Sequence, residues 1–137
     1  MQQSLALFCR PFFAGLLLLA GAASVLEGKC AMRLIIGMSG ASGVIYGIRL
    51  LEVLKQDPDI ETHLVMSDAA KMNIGIETDF AANAVKALAD HVYSNKDIAA
   101  TIASGSFQTG GMIVAPCSIK TLSAIANSYA DSLIVRA

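Results

Sequence analysis

Between residues 32 and 137 the apolar residues form short unbroken runs that alternate with stripes at helical spacing. Arg33-Leu34-Ile35-Ile36-Gly37-Met38 is a continuous run after its first residue, the pattern of a strand buried on both faces of a parallel sheet. Ser39-Gly40-Ala41-Ser42-Gly43 is a tight turn of small residues. Val44, Gly47, Ile48, Leu51 and Leu54 then fall at i, i+3, i+4, i+7 and i+10, which is one helical face, while Arg49, Glu52, Lys55 and Gln56 fall outside it. Asp57-Pro58-Asp59 ends this helix, because proline drives the residue before it out of helical conformation.

The same grammar repeats downstream. Ile60 to Met66 reads as a second strand, and Ser67-Asp68 opens a second helix. Asp79 to Ala89 reads as a third helix, His91-Val92-Tyr93 as a short strand, and Asp97 to Ala103 as a short helix before the Ser104-Gly105-Ser106 turn. Gly111 to Pro116 is the clearest later strand, and Ser118 caps a helix reaching about Asn127. Ser132 to Ala137 is apolar and helix-compatible, and it stops without a capping Gly or Asn. Alternation of this kind predicts an α/β fold: a parallel sheet covered by helices on both faces, as in Rossmann-like sandwiches.

Residues 1–31 break the pattern. The stretch 11–26, PFFAGLLLLAGAASVL, has no charge, follows Arg10, and gives way to Glu27 and Lys29. Three readings stand: a secretory signal with small residues at Ala20 to Ala23, a membrane anchor for which the run is short, and translation upstream of a true start at Met32. The division expected is therefore a leader over 1–31 and an α/β domain over 32–137, whose 106 residues are few for a complete doubly wound unit.

Composition narrows the function. With 55% apolar and 15% charged residues, the chain can bury enough surface to offset its ordering entropy. A net charge of −1 argues against a nucleic-acid partner, which requires a basic stripe to displace counterions. Cys9, Cys30 and Cys117 show neither CxxC nor metal-ligand spacing, so neither a disulfide framework nor a metal site is expected. A reducing, cytoplasmic setting fits the domain, with the signal and anchor readings of the leader as alternatives.

Ligands of such sheets bind at the carboxyl ends of strands. Gly40-Ala41-Ser42-Gly43 lies there, and it reads either as a ligand-approaching loop or as a plain tight turn. Its spacing is Gly37-x-x-Gly40-x-x-Gly43 rather than GxGxxG, and Ser67 stands where a dinucleotide enzyme places its ribose acid. Pro116-Cys117-Ser118-Ile119-Lys120-Thr121 offers hydroxyls, free amides and a cation at a helix opening, suited to a phosphate or an electron-rich ring; a simple serine cap is the alternative. Glu77 follows Gly75 at a break between helical segments, where an acid serves proton transfer, or where Thr78 or Asp79 merely caps. Cys117, Met66, Met72 and Met112 read as buried filler, His63 as structural and His91 as a surface residue.

Together the runs MRLIIGMSGASGVIYGIRLLEVL, ETHLVMSDAAK, IETDF, SGSFQTGGMIVAPCSIKTLSAI and YADSLIVRA resemble the UbiX-type flavin prenyltransferase family, almost continuously from Met32 to Ala137. The resemblance implies a flavodoxin-like Rossmann fold, assembled as a homododecamer with flavin sites at subunit interfaces. It implies transfer of the dimethylallyl group of dimethylallyl monophosphate to N5 and C6 of reduced FMN without a metal, and delivery of the prenyl-FMN to a partner decarboxylase, as in ubiquinone biosynthesis. Carried over by motif, Gly40, Ala41 and Ser42 contact FMN, with Ser42 beside the isoprenyl unit, and Ser67 touches the flavin. Ser118, Ile119, Lys120 and Thr121 bind along the helix opening, Arg136 completes the FMN site, and Glu77 matches the acid that assists proton movement.

Two departures accompany the resemblance. Asp68 stands where relatives often have lysine, and the family's later phosphate-binding arginine, tyrosine and lysine lie in sequence absent here. Two rivals remain: a flavin-dependent cysteine decarboxylase of related fold, and a non-catalytic FMN-binding fragment. The first shares the Pro-x-Ser helix opening but carries Asn near the position of Lys120, and a histidine after an early helix that is not evident here.

Overall fold

Leu34, Ile36 and Met38 bury one face of the first strand and Ile35 buries the other, as the unbroken apolar run requires. The computed structural model describes residues 31–137; the apolar run 11–26, with Cys9 and Cys30, lies outside them. Among the described residues four strands, β1 (Met32–Met38), β2 (Ile60–Met66), β3 (His91–Ser94) and β4 (Gly111–Val114), form one parallel sheet in the order β3-β2-β1-β4.

Helices α1 (Val44–Leu54), α2 (Asp68–Glu77) and α3 (Ala82–Lys86) connect the first three strands. Val44, Ile48 and Leu51 of α1, Ala70 and Ile74 of α2 and Val85 of α3 pack with Leu64 and Met66 in one core. Across the sheet Ile35 and Val65 pack with Ile102, from a single 3-10 turn (Thr101–Ala103), and with Leu133 and Ile134 of α5 (Leu133–Arg136). Helix α4 (Ile119–Ala126) follows β4. The three-layer α/β, flavodoxin-like architecture is the expected one. Among the described residues no helix is long and apolar enough to cross a membrane.

The expected third helix is shorter than its span Asp79–Ala89. The Thr78 hydroxyl accepts the Phe80 amide at 3.3 Å and holds a non-helical turn, so α3 begins only at Ala82. The helix expected over Asp97–Ala103 shrinks to the 3-10 turn, because Ser94 Oγ and Asp97 Oδ1 accept the amides of Lys96 and Ala99 and compete with helical bonding. Met72 is 64% exposed rather than buried filler, since Ala70 and Ile74 form the inward stripe of α2. Met112 is half-buried against the second core, and Met66 is buried as expected.

His63 is buried within β2, its Nδ1 3.1 Å from the Tyr93 hydroxyl. Burial, and next the charge of His91, hold its pKa below the ordinary value. His91 is exposed on β3.

Buried Thr62 shows how the sheet edge is tied to its preceding loop. Its amide and hydroxyl donate to one Asp90 oxygen at 2.8 and 2.7 Å, and its hydroxyl accepts the Asp90 amide at 3.0 Å. The bond from the Thr62 amide, and with it that from the hydroxyl, lowers the Asp90 pKa from its ordinary 3.8. A depressed carboxylate stabilises the fold fully above its unfolded pKa and loses that contribution as pH falls through the native value. Asp90→Ala should therefore cost about 1–3 kcal/mol at neutral pH. Asp90→Asn should flatten the stability profile below about pH 4. Urea unfolding across a pH series measures both.

Candidate functional site

The strand order places β2 and β3 on one side of β1 and β4 on the other, so the winding of the sheet reverses after β3 and leaves a switch point between the parallel strands β1 and β4. A crevice opens at such a switch point beyond the carboxyl ends of the strands. Here it is a cleft of about 370 Å³, within the ~300–1,000 Å³ range of small-molecule sites. Ser39 and Gly40 line it after β1, Ser67 and Ala69 after β2, Asn95 after β3, and Ser118, Lys120 and Thr121 after β4; Ala124, Asp131, Ser132, Ile134 and Val135 close the far wall.

Ser39, 1% exposed, joins the two loops that flank the switch. Its amide and hydroxyl both donate to the Pro116 carbonyl at 3.0 Å, and its hydroxyl accepts the Ser118 amide at 2.6 Å. The amide of Ser67 donates to the Met38 carbonyl at 3.0 Å, fastening the end of β2 to the same point. Gly40 packs against α2 so closely that a Cβ there would lie 2.4 Å from the Ala69 Cβ.

Two helices begin at the cleft with a serine cap. Ser67 Oγ accepts the Ala70 amide at 3.0 Å, and Ser118 Oγ accepts the Thr121 amide at 3.3 Å while donating to the Thr121 hydroxyl at 3.0 Å. Both hydroxyls therefore serve as caps, and the remaining first-turn amides of α2 and α4 stay available to an electron-rich ligand. Asn95 ties down α5 by accepting the Leu133 amide on its carbonyl and the Ile134 amide on Oδ1, each at 3.0 Å. Lys120 Nζ stands 3.4 Å from Asp131 Oδ2 at the rim and is 82% exposed in its side chain. Asp68 pairs with Lys71 at 2.9 Å and with Lys96 at 3.2 Å, and the bond from Lys71 lowers its pKa.

Helix α2 grips the small-residue loop. Asn73 Nδ2 donates to the Ala41 carbonyl at 3.1 Å. One turn later Glu77 Oε2 accepts the amides of Gly43 and Val44 at 2.8 and 3.2 Å. Gly43 is the cap residue of α1, with φ +87° and no side chain to cap with, so a carboxylate from α2 supplies the missing acceptor. Glu77 is thus the last residue of α2 rather than an acid between helices, and it caps a neighbouring helix.

Of the residues singled out in the sequence, Gly40, Ser67, Ser118, Lys120 and Thr121 come together on the cleft wall. Ala41, Ser42, Ile119, Glu77 and Arg136 do not line it. Ile119 is 85% exposed, and Arg136 Nε donates outside the cleft to the Ala130 carbonyl at 3.2 Å. Cys117 is exposed rather than buried filler: the loop that brings Ser118 to Ser39 leaves the intervening thiol facing outward. Ser39, Asn95 and Asp131 were not legible as site residues. A serine ending an apolar run was the one available sign; Asn95 and Asp131 act only through segments that meet in the folded chain.

A family model described as Flavoprotein matches residues 23–137. Flavin prenyltransferase UbiX of Escherichia coli (strain K12) is 62% identical over 105 residues, which cover 77% of this chain and 56% of that protein. The crystal structure of AnUbiX in complex with FMN and dimethylallyl pyrophosphate aligns with a TM-score of 0.75 at 47% identity, covering 77% of this chain and 56% of that one. A dodecameric FMN-dependent UbiX-like decarboxylase from Escherichia coli O157:H7 aligns with a TM-score of 0.76 at 54% identity, covering 77% and 57%. The chain spans about half the length of the curated relatives it matches. It belongs to the Flavoprotein family and is similar, over most of its described residues, to the UbiX-type flavin prenyltransferases.

Proposed function

We propose that this chain is the flavin-binding portion of a flavin prenyltransferase, which joins the dimethylallyl group of dimethylallyl monophosphate to reduced FMN and yields prenyl-FMN for a partner decarboxylase. The observation that supports this most is the cleft at the switch point, where capped helix openings after β2 and β4 face a glycine-bearing loop after β1. The small and hydroxyl-bearing lining of the cleft suits a flavin: Gly40 lets the backbone approach closely, and uncommitted amides offer hydrogen bonds to an electron-rich ring or a phosphate. When bound and reduced, FMN supplies the electron-rich ring that accepts the allylic carbon.

The chain's own residues hold and orient. Gly40 and the α2 opening bound one wall, and Ser118, Lys120 and Thr121 bound the other, with Lys120 as the cation for a ligand oxygen. Ser42 and Arg136, exposed beside this cleft, fit a site completed by a further copy of the chain, in keeping with a homododecamer. Glu77 is assigned two tasks: it fixes the Gly43 corner of the loop, and it supplies a carboxylate next to Ser42 for proton movement.

The test incubates the full chain with reduced FMN and either dimethylallyl monophosphate or the pyrophosphate, followed by mass spectrometry of the released flavin. A prenylated flavin mass supports the transferase. Retained FMN without new mass leaves a binding protein only, and carbon dioxide release from a cysteinyl substrate identifies the decarboxylase rival.

Three variants examine the site. Gly40→Ala should raise the Kd for FMN at least ~10-fold, since the added methyl must displace either the loop or α2. Glu77→Ala should cost about 0.5–2 kcal/mol of stability through the lost cap. Glu77→Gln, which keeps an acceptor oxygen, should restore FMN affinity in calorimetry but not turnover; restoration of both would confine Glu77 to positioning.

A further inference from the structure

The amino-terminal half of the sheet carries a cluster that the cleft does not use. Register sets Arg33 beside Glu61 and His63 beside His91, on one face of β1, β2 and β3. Glu61 Oε1 lies 2.8 Å from His91 Nε2 and 3.5 Å from His63 Nε2, and one ligand atom from each of the three lies within 4.8 Å of the others. The two imidazoles are stacked, with centroids 4.7 Å apart.

His63 is 2% exposed, yet among the described residues its Nε2 has no hydrogen-bond partner. A buried polar atom left so in a native fold calls for a cause, and an ion is one of the few available. The other ring nitrogen, Nδ1, meets the Tyr93 hydroxyl at 3.1 Å, so Nε2 is the atom presented to Glu61 and His91.

We propose that Glu61, His63 and His91 bind a divalent transition-metal cation, zinc by preference, as a clasp between β2 and the edge strand β3. Two imidazoles and a carboxylate are an established zinc donor set that leaves a fourth position to water. The outer contacts are also in place. Arg33 Nε donates to Glu61 Oε2 at 3.2 Å and so turns Oε1, which meets His91 Nε2, toward the two imidazoles, where a metal would replace that hydrogen bond; Tyr93 orients His63. Glu61 and His91 are partly exposed and close on the fixed, buried His63 from the solvent side. The clasp has structural sense: β3 has four residues and, among the described residues, pairs on one side only, and the metal holds its first residue. His63 precedes the cleft residue Ser67 by four positions, roughly 13 Å along the strand, so the clasp is separate from the flavin site.

Zinc chloride titrated calorimetrically into the full chain should bind one to one and raise the Tm. His91→Ala and Glu61→Gln should each weaken zinc by more than the ~10–100-fold that loss of an outer-sphere partner costs, and should abolish the zinc-dependent rise in Tm. His91 is half-exposed, so its variant keeps the core intact, which circular dichroism and unchanged FMN affinity verify. Cobalt in place of zinc should show no thiolate charge-transfer band, which excludes Cys9, Cys30 and Cys117 alike as ligands. Absence of zinc binding by the unaltered chain overturns the proposal, as does unchanged affinity in either variant or a thiolate band with cobalt.

Discussion

The hydroxyl of Ser39 is the joint on which the rest of the site depends. Parallel strands diverge at a switch point, and nothing in the ladder itself holds the loops after β1 and β4 together. Ser39 does so with three bonds, donating twice to Pro116 and accepting once from Ser118. Because the atom is buried, each bond forms with little competition from water, and losing one leaves an orphaned polar group. The α4 opening therefore faces the glycine-bearing loop across a fixed gap, and that gap is the cleft.

Helix α2 is the second organiser. It is fastened at its start by the Ser67 cap and the bond from Ser67 to Met38, and it reaches back through Asn73 and Glu77 to the turn before α1. A loop of Gly, Ala and Ser has few side chains with which to fix its own shape, so its conformation is imposed from outside. Gly40 packed on Ala69 and Gly43 in left-handed backbone are the two points where a side chain would break this fit. The cleft-lining residues expected to meet a ligand are here largely the residues that hold the fold. The serines that read as ligand contacts are caps, and what they leave free for a ligand is backbone.

The apolar pattern made most of the layers legible. The run from Leu34 to Met38 reads as a doubly buried strand because it is one, and the stripe from Val44 to Leu51 reads as the inward face of α1. Signals weakened where short polar side chains rewrote the backbone: Thr78 delays α3, and Ser94 with Asp97 turns a helix-like stretch into a 3-10 turn. Cys117 and Met72 failed as filler for a different reason. Burial belongs to the face a residue occupies after packing, not to its hydropathy.

The sequence by itself determined the α/β class, the positions of β1, β2 and β4, and the two helix openings at Ser67 and Ser118, because each rests on bonds and periodicities local to the chain. Only the tertiary structure decided that Ser39 joins Ser118, that Glu77 caps α1 from α2, and that Glu61, His63 and His91 share one face. Each of these brings together residues far apart in the chain, Ser39 and Ser118 by 79 positions, Gly43 and Glu77 by 34 and Glu61 and His91 by 30, and the packing of strands and helices sets which of them meet. Local propensity carries no record of that packing; hydrogen-bonded neighbours across the sheet do.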